Sequence, residues 1–149
     1  SNANILINKK DKNLADLNKN SIMEIAKNLS LENSTSFKSS SDMLATGTSS
    51  ERLLDLCKKS ECEIYLTGHG ALNYLDHNLF ERNSIEVFYI KYEFTPYETY
   101  VRDYTPYVTC LDAIAHLGTK TVETMKSKIV HWSDAILNPQ SLRPFSDKS

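Results

Sequence analysis

The sequence has no apolar run that approaches the roughly 18–20 residues needed to cross a bilayer. It also has no basic excess: 17 Lys and Arg stand against 19 Asp and Glu, for a net charge of −2, whereas a dedicated nucleic-acid surface is normally basic. Cysteine is scarce, and Cys57, Cys62 and Cys110 contain no C-x-x-C pair of the kind that zinc knuckles and redox dithiols use. We therefore expect a cytoplasmic protein with reduced cysteines and with neither membrane nor nucleic-acid partners.

Histidine is present but gives no metal signature. His77, His116 and His131 are scattered along the chain without the spacing of metal ligands. The loops also lack the full glycine pattern of a dinucleotide fingerprint. We accordingly predict no metal and no cofactor.

The bulk composition is that of a globular domain. With 149 residues, 40% hydrophobic and 24% charged, the chain is long enough for one domain with a real core and too short for two comfortable ones. Ser1-Asn2-Ala3 is typical of an expression-tag remnant, and no secretory signal follows it. We expect a single α/β domain over residues 4–138 and a loose tail over residues 139–149.

Hydrophobic periodicity and capping signals outline the elements. Capping boxes and apolar spacing predict helices that begin near Ser21 and Thr48, a short helix capped by Asp76, a helix from Pro106 to Gly118, and a last helix over residues 119–132. Strands are predicted around Phe37 and over residues 63–67 and 85–92. This alternation predicts an α/β fold with a small, mostly parallel sheet, flanking helices and a helical C-terminal end.

The most informative segment is Gly68-His69-Gly70, which follows the predicted strand Ile64-Tyr65-Leu66. In open α/β sheets, ligands bind at the carboxyl ends of strands. Glycine lets the backbone approach a bound group closely, and His69 is the one titratable side chain of the loop. We predict that Gly68 and Gly70 bind substrate and that His69 is catalytic; the alternative is a tight turn with an exposed histidine.

A serine-rich segment follows the strand predicted around Phe37. Because the carboxyl ends of parallel strands share one edge of a sheet, Ser39, Ser40 and Asp42 are predicted on the same rim as His69. The two hydroxyls would bind substrate, and the Asp42 carboxylate is the second predicted catalytic group. The alternative is a Ser-rich turn in which Asp42 is a local cap.

Tyrosine is concentrated between residues 89 and 107. Tyr97 and Tyr100 fall in a predicted loop, where a flat face and a hydroxyl suit sugar stacking. With Arg102 they form a third predicted substrate-binding group, whereas core filling explains other tyrosines of this stretch. Asp112 lies near the apolar seam of its helix and, if buried, needs a partner such as Arg102 or a hydroxyl.

Several segments together resemble a known family. The run Y-L-T-G-H-G-A-L-N-Y-L-D-H-N-L-F-E-R-N-S-I-E-V, the pentapeptide L-A-D-L-N at residues 14–18 and P-Y-V-x-x-L-D at residues 106–112 resemble the WbqC-like family in order and spacing. The Gln-Pro-x-Tyr-x-Pro-Trp and Asn-Arg-x-x-Ile motifs of the family's first half are absent, so the chain resembles its C-terminal portion.

The resemblance implies a function class rather than catalytic residues. It implies a transferase that modifies a nucleotide-linked or carrier-linked sugar, by glycyl or other acyl transfer, in bacterial surface-polysaccharide synthesis. The alternative is a non-catalytic ligand-binding or protein-interaction module that lacks its N-terminal half. The expected partners are a nucleotide sugar or sugar, and either a second copy of the chain in a homodimer or the missing half.

Overall fold

The computed structural model describes residues 13–99, 105 and 108–142. Their contacts divide the chain into two compact units. The first contains the described residues up to 37 and those between 94 and 126; the second contains residues 38–93 and the described residues from 127 onward. The predicted tag remnant, residues 1–3, lies outside the described residues.

Five α-helices are described: α1 (Leu14–Asn28), α2 (Ser49–Lys59), α3 (His77–Glu81), α4 (Cys110–Leu117) and α5 (Trp132–Leu137). Local capping explains several of their ends. The Asp76 carboxylate accepts a hydrogen bond from the Leu79 N–H at 3.0 Å, which confirms Asp76 as the cap of α3. Gly118 follows α4 with φ +59°, a conformation that favours glycine and ends the helix as predicted.

Three strands form one sheet in the order β1 (Ile64–Thr67), β2 (Glu86–Phe94), β3 (Met125–His131). β1 and β2 are parallel, with Ile64 paired to Glu86 and Thr67 paired to Tyr89. Flanking helices and a helical C-terminal region complete the α/β fold, so the predicted class is confirmed. The sheet is mixed, however, so the prediction that it is mostly parallel is slightly off.

The second unit has a continuous hydrophobic core on one face of the sheet. Val87 and Tyr89 of β2 are fully buried there with Phe80 of α3. α2 and the C-terminal segment supply further members of the core, namely Leu54, Cys57, Ala135 and Leu142. Burial raises the pKa of Cys57 to about 12, with a smaller contribution from the adjacent Cys62 thiol, and the cysteines are free. A thiol with so high a pKa is unreactive.

The predicted last helix over residues 119–132 is wrong. This segment forms a 3-10 helix (Gly118–Thr124), then β3, then the start of α5. The spacing of its apolar residues matches a helical stripe, but pairing with β2 in the sheet outweighs that local pattern. Pro139–Leu142 forms a further 3-10 turn whose Leu142 is buried.

Two other boundaries differ from the prediction. α1 begins at Leu14 rather than near Ser21, because Asn13 caps it by accepting a hydrogen bond from the Asp16 N–H at 2.9 Å. The residues around Phe37 form no strand. That segment is mostly exposed, so it lacks the half-buried surroundings that stabilise a strand. Pro106, the predicted start of α4, lies outside the described residues, and α4 is capped by Thr109.

Candidate functional site

The Gly68-His69-Gly70 loop lies where the sequence places it, directly after the carboxyl end of β1. Gly68 is extended and His69 opens a short 3-10 helix (His69–Asn73). All three residues of the loop are exposed. A Cβ built on Gly68 or on Gly70 would meet no atom within 4 Å. The space over both glycines is therefore open, and the protein's own packing does not require glycine at either position.

The loop is supported from beneath by the core. Ala71 and Leu75 are buried in the hydrophobic cluster of the second unit. The Ala71 N–H donates to the Gly68 carbonyl at 3.1 Å, and the Leu75 N–H donates to the Ala71 carbonyl at 3.0 Å. His69 is thus an exposed imidazole on a backbone that a packed core holds in place, a geometry in which it can exchange protons with a bound ligand.

A second support comes from Ser50, one of the few buried polar side chains. Its hydroxyl donates to the Tyr74 carbonyl at 3.4 Å and accepts from the Asp76 N–H at 2.9 Å. These bonds tie the first turn of α2 to the segment that connects the Gly-His-Gly loop with α3. The loop is therefore braced at its far end by a helix as well as by the core.

The predicted serine group forms a turn. The Ser39 and Ser41 hydroxyls are hydrogen-bonded to each other at 2.8 Å, and the Asp42 N–H donates to the Ser39 carbonyl at 3.0 Å. Ser40 and Asp42 are exposed. The turn belongs to the same compact unit as His69, while a shared rim of Ser39, Ser40, Asp42 and His69 stays a prediction.

Tyr97 belongs to the other unit, where it contacts α4. Its hydroxyl donates to the Asp112 carboxylate at 2.5 Å, which confirms that Asp112 has a hydroxyl partner. His116, one turn further along α4, is joined through Nδ1 to the Asp112 carbonyl at 2.9 Å, and its ring lies 6.0 Å from the Tyr97 ring. Tyr97 thus forms part of a half-buried polar cluster on α4; its role in substrate binding stays a prediction. Tyr100 and Arg102 lie outside the described residues.

Sequence reasoning missed a buried aromatic cluster. His77 and Tyr89 are joined by a hydrogen bond of 2.7 Å between Nε2 and the phenol oxygen. The His77 ring stacks on Trp132, with 4.8 Å between centroids and 15° between planes. Trp132 in turn donates from Nε1 to the Glu81 carboxylate at 3.0 Å. The cluster links α3, β2 and α5.

Burial governs the protonation of this cluster. It lowers the pKa of His77, against the smaller opposing effects of Asp76 and Glu81, and it raises the pKa of Tyr89 to about 12. His77 is therefore held as a neutral ring in a structural role. One signal was available in the sequence: His77 lies three residues before the buried Phe80, the spacing that places two residues on one helix face.

The part of the chain that the structure describes contains neither a membrane-spanning helix nor a cluster of metal-binding side chains. No helix there has both the length and the apolar character needed to cross a membrane. Among those same residues, no three His, Cys, Asp or Glu side chains are arranged to hold a metal ion.

Comparison with known proteins defines the family. The model of the WbqC-like protein family matches residues 2–124. The chain belongs to the WbqC-like protein family. It is similar to the uncharacterized protein Rv1507c of Mycobacterium tuberculosis (strain ATCC 25618 / H37Rv), with 26% identity over 125 residues. That match covers 83% of this chain and 53% of the relative, so the chain spans about half the length of the curated relative it matches. No solved structure matches the chain.

Proposed function

We propose that this chain binds a nucleotide-linked or carrier-linked sugar, as part of a cytoplasmic transferase that modifies the sugar by glycyl or other acyl transfer in bacterial surface-polysaccharide synthesis. Membership of the WbqC-like family supports the class. The observation that carries the proposal is the Gly68-His69-Gly70 loop: it follows a strand of a parallel pair, it is exposed, and both glycine faces are open.

The loop supplies the two functions that such a reaction needs. Main-chain N–H groups at Gly68 and Gly70 can approach a phosphate or a sugar hydroxyl without a side chain in between. His69 acts as the base that takes the proton of the attacking sugar hydroxyl, and returns a proton to the leaving group of the acyl donor. Asp42 is the proposed second carboxylate, and Ser39 and Ser40 are proposed hydroxyl donors to the sugar.

The test is ligand-induced stabilisation of the folded chain. A ligand at about 100 times its Kd stabilises by about 2.7 kcal/mol, which raises the Tm of a domain of this size by roughly 5–11 °C. We expect such a shift with one class of a panel of nucleotides, nucleotide sugars and free sugars. His69→Ala and Gly70→Val should abolish it, because the first removes the imidazole and the second fills the open space over the loop.

The matched control is Asn73→Ala, which changes an exposed residue of the same 3-10 helix. This variant should keep the full ligand shift, and all three variants should keep a cooperative melt without ligand. A shift that survives in both His69→Ala and Gly70→Val would contradict a substrate site at this loop.

A second candidate function is a protein-interaction module, and one observation favours it. Ile64 and Leu66 of β1 are about half exposed although they are large and apolar. If no nucleotide or sugar stabilises the chain, this second function becomes the better account.

A further inference from the structure

Among the residues that the structure describes, the hydrophobic core of the second unit packs against one face of its sheet. Side chains alternate along β2: Val87 and Tyr89 are fully buried in the core, whereas Phe88 and Ile90 are only partly covered and Tyr92 is 56% exposed. The parallel register places Leu66 of β1 beside Phe88. The two strands therefore share an uncovered side.

β3 extends this uncovered side. Val130 packs against the core, whereas its neighbour Ile129 is 56% exposed. The ring of His131 contacts Phe88 edge-on, with 5.3 Å between centroids, which puts the odd-numbered residues of β3 on the Phe88 side. We call this surface the bare face; it consists of six apolar side chains, Ile64, Leu66, Phe88, Ile90, Tyr92 and Ile129.

A bare face of this kind is unusual for parallel strands. All-parallel sheets occur almost only with both faces covered, and the β1–β2 pair of this mixed sheet is parallel. Large side chains present on the order of 150–250 Å² when fully exposed, so the four that are about half exposed leave roughly 300–500 Å² of apolar surface. An apolar patch of this size on a monomer is often an interaction site.

The size of the bare face matches what a pair of identical chains requires. Two copies stacked face to face would bury roughly 600–1,000 Å² of apolar surface. A standard interface buries about 1,200–2,000 Å² in total, a little over half of it apolar, which is roughly 700–1,100 Å². The six side chains carry no charge, so a surface made of them is complementary to itself, as a two-fold interface requires. Glu86, paired with Ile64 at one end of the sheet, supplies a polar border.

We propose that the bare face is the dimer interface of this protein, occupied by the bare face of a second copy. The two sheets pack at about 10 Å with their apolar side chains interdigitated. The interface is built from strand side chains, whereas the Gly68-His69-Gly70 loop begins after the last residue of β1.

The test is the oligomeric state of the purified chain by sedimentation velocity, at concentrations from about 1 μM to about 1 mM, where weak homodimers dissociate. The wild type should show a reversible monomer–dimer equilibrium. Leu66→Lys and Ile129→Lys should each raise the Kd by on the order of 100-fold, because two-fold symmetry brings like charges into a desolvated interface.

Leu137→Lys is the matched control, since Leu137 is 84% exposed in α5 and lies outside the sheet. It should leave the Kd unchanged, and far-UV circular dichroism should show that all three variants fold. A chain that stays monomeric at every concentration would overturn the proposal and assign the face to another occupant, such as the rest of a longer WbqC-like polypeptide. A dimer that is as tight in both face variants as in wild type would overturn it as well.

Discussion

The hydrogen bond between His77 and Tyr89 gives the sharpest stability prediction. Tyr89 is fully buried and His77 is nearly so, and 2.7 Å separates Nε2 of His77 from the Tyr89 hydroxyl. Tyr89→Phe removes one oxygen and leaves the ring, so the surrounding packing is preserved. What remains is a buried imidazole nitrogen without its partner.

The cost follows from that unpaired nitrogen. A buried polar group left without a hydrogen bond destabilises the folded state by about 1–3 kcal/mol, so Tyr89→Phe should lower the free energy of unfolding by that amount. Urea denaturation followed by the fluorescence of Trp132, the one tryptophan in the sequence, measures it. The slope of the free energy against urea should not change, because the surface exposed on unfolding is the same.

The matched control is Tyr74→Phe, where the tyrosine is 58% exposed and lies outside the sheet. This variant should change the free energy of unfolding by less than about 0.5 kcal/mol. If Tyr89→Phe proves as mild as Tyr74→Phe, the buried hydrogen bond contributes nothing to stability and the reasoning is refuted.

Three further predictions follow from other contacts. Burial lowers the pKa of His77, so below pH 6.5 the unfolded chain binds a proton more readily than the folded chain does. The urea midpoint of unfolding should therefore fall as the pH drops from 6.5 toward the pKa of His77 in the folded chain. An equally steep fall in a His77→Gln variant would contradict this explanation. Gly47 has φ +79° and a Cβ there would lie 2.9 Å from the Glu51 Cβ, so Gly47→Ala should cost about 1–2 kcal/mol. Gly68→Ala places its Cβ in open space and should leave the stability of the folded chain nearly unchanged. Equal Tm values for the Gly47→Ala and Gly68→Ala variants would count against the steric argument. Ser50→Ala removes both hydrogen bonds of a buried hydroxyl and should lower the free energy of unfolding by about 1–3 kcal/mol. The Asp76 amide hydrogen should also exchange faster. Unchanged exchange at Asp76 would show that Ser50 does not brace the segment before α3.

Elements whose signals are local were predictable from the sequence. Asp76 caps α3 and Gly118 ends α4 because capping depends on one side chain or one backbone angle. The strand predicted over residues 63–67 is β1 (Ile64–Thr67), because a short run that contains a β-branched and an aromatic residue and is followed by glycine favours a strand over a helix. The location and exposure of the Gly68-His69-Gly70 loop followed from the same signals.

Elements that depend on distant partners were not predictable. β3 contains Lys126-Ser127-Lys128, which has little intrinsic preference for a strand, and its hydrogen bonds come from the sheet. The cluster of His77, Tyr89 and Trp132 joins three separate segments. The spacing of His77 and Phe80 places His77 on a buried helix face, but it does not reveal the partners that the other two segments supply. The bare face likewise depends on which alternating positions the core covers, and the apolar pattern of β2 is the same whether one face or both are buried.

The order in which the core residues are synthesised has a consequence for the living cell. The core of the second unit begins with Leu54 and is completed only by Ala135 and Leu142, while the intervening residues 94–126 belong to the other unit. On the ribosome, Phe80 and Val87 therefore emerge long before the last two members of their core cluster. Nascent chains should expose this apolar surface until translation has passed residue 142, which makes them natural clients of chaperones that bind apolar segments during synthesis.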